Sequence, residues 1–541
     1  MKDSFALHVA AEGHPVAGQD LMRAVACSGL ARVGCFAGSE GHAGECERGL
    51  RELGFNGAVE WISQGRPQDL ARFGTLYHPA SGIERLAWRR LGLGERRYSL
   101  CGVTHATASH AAMSSIARLL VAPVRSWDAV ICTSRVVRDS VREVLERQAD
   151  YLRARLGAQH FELPQLPLIP LGVHGGDFAF DEERRLAARA GLGIGADDVA
   201  FLFVGHLSFH AKAHPQQMFS ALERADKAGR QVHLILCGWF ADAAIEKAFR
   251  EAAALLCPSV RLTVLDGRAP DKQTSAWAAA DVFTSLADNV QESFGVTPLE
   301  AMAAGLPCVV ADWNGYRDTV RDGVDGYRIP TVMPGAGAGL DLAQRYDDGV
   351  DSYDQYCGHI SQAVALDGAQ LAQAYERLIK DAGLRRELGE NGRRRAREEF
   401  DWQVVFGRYR ALWSELDERR RADAALAPPL PQMAPDRLDP FAMFGSYPSA
   451  QLTPDSIVEL APDASLAQLR EYRELEINRF AASSFPTLEE FGQIFGSIES
   501  RPTQVDELLD TLGPCDRPTL LRGLAWLCKM DLLRISAAGK Q

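Results

Sequence analysis

The groups best able to do chemistry are concentrated between Asn289 and Thr319, in the run NVQESFGVTPLEAMAAGLPCVVADWNGYRDT. Two carboxylates, Glu292 and Glu300, stand seven residues apart. Between them Ser293-Phe294-Gly295 predicts a tight turn, and Thr297-Pro298 predicts a helix start, since proline suits the first helical position and Thr-x-x-Glu is a capping spacing. A helix start offers free backbone N–H groups and a partial positive charge, so a diphosphate can sit there, with Gly295 permitting close backbone approach. Glu292 would then reach sugar hydroxyls and Glu300 the hydroxyls of a ribose, because an ionised carboxylate only accepts hydrogen bonds. Taken singly, the plainer reading holds: Glu300 closes a capping box with Thr297, and Glu292 is an exposed loop carboxylate.

Something must hold that run at the edge of a cleft. Short apolar runs alternate with helical patterns from the start: Phe5–Val9, a turn at Gly18, an amphipathic stretch at Leu21–Ala26, then Ala129–Cys132 followed by Val136–Leu145. After LPLIPLGV (residues 166–173) a second series begins, with Val199–Val204, His233–Cys237, Leu262–Leu265, Val282–Ser285 and Cys308–Ala311. This predicts two α/β domains with mainly parallel sheets, residues 1–172 and 173–420, the second carrying closing helices. Residues 421–454, with APPLPQMAP, read as a proline-rich linker. Residues 455–541 read as a small, mainly helical accessory domain resembling a winged helix, with helical patterns split at Gly513-Pro514.

Composition narrows the function classes. A 541-residue chain that is 46% hydrophobic supports several cores, and a net charge of -12 gives no general attraction to nucleic acid or anionic lipid. From Pro431 onward 10 Lys and Arg face 16 Asp and Glu, so the accessory domain is read as a homo-oligomer or partner-protein module rather than a DNA binder. The 11 cysteines form no C-x-x-C pair, which predicts neither a zinc site nor a disulfide framework. No apolar run of spanning length and no signal-peptide pattern is visible, so a cytoplasmic protein is expected. The basic helical stretch Ala369–Arg421 is read as a solvated face.

Joined to the turn Ala303-Ala304-Gly305-Leu306-Pro307 and the apolar strand after it, the E-x7-E run resembles the signature of the family 4 retaining glycosyltransferases. The resemblance covers residues 1 to about 415 and includes FLFVGHL (201–207) with Lys212, the strand and turn before Arg268, DTVRDGVDGYRIP (318–330) and IPLGV (169–173). It implies a GT-B fold, two Rossmann-like domains facing across a cleft. It also implies a nucleotide-sugar donor such as a UDP- or GDP-sugar on the second domain, a glycan, lipid-linked or other hydroxyl acceptor on the first, and no cofactor or obligatory metal.

Carried over by position, the resemblance puts Glu292 on the donor sugar and Glu300 on the ribose. Ser293, Phe294, Gly295, Val296 and Thr297 would bind sugar and phosphate through backbone groups, while Lys212 would neutralise the diphosphate. Gly18 would belong to a loop closing over the phosphates, Gly205 and Arg268 to the donor site, and His105 would lie near the reacting sugar. The chain departs at His206, where the family usually has arginine, and a histidine of ordinary pKa near 6.5 is only partly charged at neutral pH. Protonation of His206, or help from His210 or His214, would compensate, or the enzyme is slower or uses an unusual donor; a metal held by these histidines is disfavoured. The resemblance implies retaining, metal-independent transfer, with surface-polysaccharide or glycoconjugate synthesis as a setting. The alternatives are a non-catalytic nucleotide-sugar-binding scaffold and a GT-B epimerase or phosphorylase.

Overall fold

The structure is a computed structural model and describes residues 4–9, 16–423, 434–511 and 516–536. It divides into two compact units, Met1–Ala434 and Pro435–Gln541.

Within the first unit, the apolar runs form two six-stranded parallel sheets. The first contains β1 (Ser4–His8), β2 (Arg32–Ala37), β3 (Ala58–Ser63), β4 (Thr75–Tyr77), β5 (Ser99–Val103) and β6 (Ala129–Ile131), in the order β3-β2-β1-β4-β5-β6. The second contains β7 (Val199–His206), β8 (Val232–Trp239), β9 (Arg261–Asp266), β10 (Val282–Ser285), β11 (Cys308–Ala311) and β12 (Gly326–Ile329), in the order β12-β11-β10-β7-β8-β9. The winding is the same in both, and each sheet reverses direction beside its first strand, where doubly wound sheets open a crevice at the strands' C-terminal ends. Central strands such as HLILC (233–237) are buried along their whole length, which is why they read as continuous rather than alternating apolar runs.

The two domains are joined by two crossings that lie side by side. Val173 N–H donates to the Phe400 carbonyl at 2.8 Å, and Trp402 N–H donates to the Val173 carbonyl at 3.1 Å. Gly172 is required there, since a Cβ would stand 2.6 Å from the Trp402 ring. Helix Trp402–Ala422 then returns to the first domain, burying Val405, Phe406, Tyr409, Leu412, Trp413 and Leu416 in its core, with Trp413 stacked on Phe5 at 4.4 Å. The sequence reading had placed this helix with the second domain. Its period fixes which face is buried, but not which core receives it.

An excursion interrupts the second domain after β12. The short strands β13 (Thr331–Val332) and β14 (Ala365–Leu366) pair antiparallel, and between them run helices Leu340–Asp347 and Tyr353–Ser361.

The second unit is more than helical. Strands β15 (Ile457–Leu460), β16 (Thr503–Gln504) and β17 (Leu533–Ser536) form an antiparallel sheet in the order β16-β15-β17. Val458, Leu469, Phe491, Ile494, Leu520, Leu524 and Leu527 make its core. Helix Pro440–Met443 lies in the stretch read as linker, most of APPLPQMAP lies outside the described residues, and so does Gly513-Pro514. Among the described residues no helix is long and apolar enough to cross a membrane.

Candidate functional site

The loop after β10 turns sharply into helix Thr297–Ala304 and is clamped from below. Gly295 has φ of +78°, and a Cβ there would fall 2.1 Å from the Tyr316 ring. Gly315 is pressed equally hard: its Cβ would lie 2.4 Å from Phe294 Cα. Tyr316 is fully buried and shares a 2.8 Å hydrogen bond with the Ser285 hydroxyl, so the platform under the turn is rigid. The helix has no side-chain cap, the Thr297 hydroxyl lies against the buried Tyr316 hydroxyl, and Glu300 Oε2 is buried without a hydrogen-bond partner. The capping box of the plainer reading therefore does not form. Among the described residues the amides of Phe294, Gly295, Val296 and Thr297 make no hydrogen bond, which leaves an uncapped donor cluster beside the unsatisfied Glu300 oxygen.

Lys212 reaches this cluster from the loop after β7 and forms an ion pair with Glu292. Two neighbours in the β10 loop bring the loops together: Asn289 Nδ2 donates to the His210 carbonyl at 2.7 Å, and Asp288 Oδ2 accepts from His214 N–H at 3.1 Å. Burial opposes the charge of Lys212, but Glu292, with smaller help from Tyr316 and Glu300, holds its ammonium above the usual lysine range. Gly205, at φ of +145°, leaves room for the lysine stem, whose Cε would be 3.4 Å from an added Cβ.

Burial pushes Glu300 up to about 7, and Asp20 adds to the shift against the opposing pull of Lys212. Asp20 comes from helix Val16–Ala26 of the first domain and is itself raised, chiefly by burial. Two carboxylates thus approach from opposite domains, an arrangement that hydroxyl donors would relieve.

The remaining expected residues are placed as follows. Gly18 is not in a turn: it sits in the first turn of helix Val16–Ala26, and the loop 10–15 before it lies outside the described residues. His105 follows β5, and its Nε2 is 3.1 Å from the Pro79 carbonyl; burial lowers its pKa, so the ring is neutral. His206 ends β7 with its ring stacked on Trp239 at 5.4 Å and 19°. Burial, then His210 and Lys212, lower its pKa against the pull of Asp354, which argues against a protonated His206 as the phosphate clamp. Arg268 stands beyond the edge strand β9, largely exposed and gripping Asp266 through two 2.9 Å hydrogen bonds. Strand β8 separates β9 from β7, whose following loop carries Lys212, and the Arg268 side chain is engaged with Asp266.

Asp20, Tyr316, Asp288 and Ser134 escaped the sequence reading. Ser134 caps helix Arg135–Leu156, a signal visible in Thr133-Ser134, but its hydroxyl also donates to the Ser293 carbonyl at 2.8 Å across the cleft. Arg135 beside it grips Asp318 through its N–H at 2.6 Å and its Nε at 2.5 Å. Asp288 is buried with Oδ1 unpartnered, and burial raises it to about 7.

Residues 185–336, which contain Gly205, His206, Lys212, Arg268 and the run Glu292–Glu300, match the family model described as glycosyl transferases group 1. Over these residues the chain is similar to the group 1 glycosyltransferases. Curated relatives include the D-inositol 3-phosphate glycosyltransferase of Nocardia farcinica, 34% identical over 27% of this chain and 32% of that protein. That of Geodermatophilus obscurus is 28% identical over 47% of this chain and 59% of that protein. The chain therefore spans between a third and three-fifths of these two relatives. Among solved structures, Anabaena Alr3699/HepE in complex with UDP superposes with a TM-score of 0.50 at 18% identity, covering 76% of this chain and 100% of that one. The GT-B architecture of two Rossmann-like domains is thereby shared.

Proposed function

We propose that the protein transfers a sugar from a nucleotide-diphosphate sugar to an acceptor hydroxyl with retained anomeric configuration. The observation that carries this reading is the Lys212–Glu292 pair beside an uncapped helix start, with the unpartnered Glu300 carboxylate one turn further in. The amides of Phe294–Thr297 and the Lys212 ammonium fit a diphosphate, and Glu300 opposite Asp20 fits a ribose diol. Similar proteins support the same class: Anabaena HepE was solved in complex with UDP, and the curated relatives are named as glycosyltransferases.

In this reading the leaving phosphate receives the acceptor's proton on the face where the new bond forms, so no side chain need act as a dedicated base. Lys212 and the helix-start amides stabilise charge on the departing diphosphate, each such donor contributing roughly 2.7 to 4 kcal/mol by analogy with oxyanion holes. Glu292 orients the donor sugar while holding Lys212 in place. No dedicated metal is assigned, and the protein is expected to act in the cytoplasm, in surface-polysaccharide or glycoconjugate synthesis.

Thermal stabilisation across UDP-, GDP- and ADP-sugars tests the reading. A nucleotide sugar at 100 times its dissociation constant should stabilise the fold by about 2.7 kcal/mol, and Glu300→Ala should abolish the shift. No shift with any of the three would reject it.

A further inference from the structure

The family match ends at residue 336, where the excursion between β13 and β14 is beginning. The excursion touches both sides of the cleft. On the donor side, the Tyr353 hydroxyl lies near the side chain of Gln291, the neighbour of Glu292. Gly358 lies so close to the loop after β7 that a Cβ there would stand 3.0 Å from His210 Cβ, and Asp354 acts on His206. On the other side, the Tyr346 ring stacks on His110 at 3.6 Å and 22°, and its hydroxyl accepts from the His110 N–H at 3.4 Å. His110 opens helix His110–Arg118, a few residues past His105. Tyr356 covers the second face of Tyr346 at 4.6 Å. Arg345 braces the segment by gripping the buried Asp351 at 2.7 and 2.9 Å.

We propose that this excursion is the acceptor-selecting element of the chain, and that it admits an uncharged sugar or polyol. This inference rests on the glycosyl-transfer reading above. Residues 333–364 hold five Asp against a single Arg, so the segment repels an anionic acceptor.

The ends of β1, β3 and β4 carry a matching set of neutral groups. His8 Nδ1 lies 2.9 Å from His78 Nδ1, and His8 Nε2 lies 3.2 Å from the Gln64 side-chain nitrogen. Two ring nitrogens can share one proton only if at least one ring is uncharged. Burial, then the neighbouring imidazole, brings His78 down to about 4; burial and Arg89 lower His8. Neutral imidazole and amide groups both donate and accept, as hydroxyls do.

Four arginines at this rim are already engaged. Arg23 pairs with Asp177, Arg66 with Asp69 and Arg135 with Asp318. Arg89 donates to the Gln64 carbonyl and lies over the Phe36 ring at 5.3 Å. A phosphorylated acceptor would have to displace these contacts.

The test uses the full chain saturated with UDP, or with GDP or ADP if that nucleotide gives the thermal shift. Glucose and myo-inositol are compared with glucose 6-phosphate and inositol 3-phosphate by saturation-transfer NMR. At least one neutral compound should bind about tenfold more tightly than its phosphate. Tyr346→Ala and His110→Ala should each weaken that binding about tenfold while nucleotide affinity moves less than about twofold, and the double variant should be no worse than either single. Replacing residues 333–364 by a short Gly-Ser turn should narrow the discrimination between neutral and phosphorylated compounds. Preference for a phosphorylated compound, binding of neither neutral compound, or unchanged acceptor affinity in Tyr346→Ala would overturn the proposal. Loss of the parent reading would show separately, as absence of any nucleotide shift.

Discussion

Lys212 and Glu292, 80 residues apart in sequence, form an ion pair at the mouth of the turn that opens helix Thr297–Ala304. The pair has two consequences for the proposed transfer. It keeps the lysine charged in a site whose burial opposes charge, and it fixes the carboxylate that would orient the sugar.

Glu292→Gln should therefore reduce kcat/KM by about 100-fold or more while donor affinity changes much less, because the amide still fills the space but no longer fixes the ammonium. Steady-state kinetics with a separate nucleotide titration check this; full transfer by the variant would remove Glu292 from the mechanism. Lys212→Met should cost more in donor affinity, since it strips charge from the diphosphate position and leaves Glu292 part-buried without its cation.

Glu300 gives a pH dependence whose direction is fixed. Its pKa in the folded protein, about 7, is above the ordinary glutamate value of 4.5, so the folded state is favoured relative to the unfolded chain below that ordinary value. That advantage is lost as pH rises from about 4.5 through about 7. Glu300→Gln should thus gain stability relative to wild type at pH 8 but not at pH 4, by roughly 3 kcal/mol. Nucleotide binding should run the other way. Ribose hydroxyls need the ionised acceptor, so wild-type affinity should rise between pH 6 and 8, and in the glutamine variant that rise should shrink. Asp288, also near 7, titrates in the same window, so Asp288→Asn is the control that separates the two.

The doubly wound sheets were legible because strands such as Val282–Ser285 and Cys308–Ala311 are buried on both faces and read as unbroken apolar runs. The E-x7-E run was legible because its turn and helix start are local. What sequence could not supply were partners across the fold. Trp402–Leu416 shows a clear apolar stripe, yet nothing local says that Phe5 and Tyr77 receive it. Asp20 acts on Glu300 electrostatically from another domain, and Tyr346 meets His110 only through the excursion. Gly18 was misread as a turn because a glycine after a strand signals one, whereas here the helix already begins at Val16.

Gly295→Ala should disable the donor site through backbone geometry alone. The residue sits at φ of +78°, and its Cβ would meet the buried Tyr316 ring, which has no room to move under Ser285. Conformational strain alone costs of order 1–3 kcal/mol, and the clash adds to it. A lower melting temperature and loss of the nucleotide-induced shift are expected. Adding Tyr316→Phe, which keeps the ring, should not rescue it; an unaltered melting temperature in Gly295→Ala would show that the turn is not held as described.

His206→Arg asks whether the histidine is a weakened phosphate clamp or serves another purpose. His206 is stacked on Trp239, and burial with two neighbouring cationic or titratable groups keeps its ring uncharged at neutral pH. An arginine would keep its charge and stack on the same indole, so it would add a cation where the family usually has one. Donor affinity should then rise by about three- to tenfold and become more sensitive to salt, since the gain is electrostatic. If affinity falls instead, with Trp239→Phe producing the same fall, the stacked imidazole–indole pair itself is the donor contact. The histidine would then be a substitute for the arginine rather than a deficit.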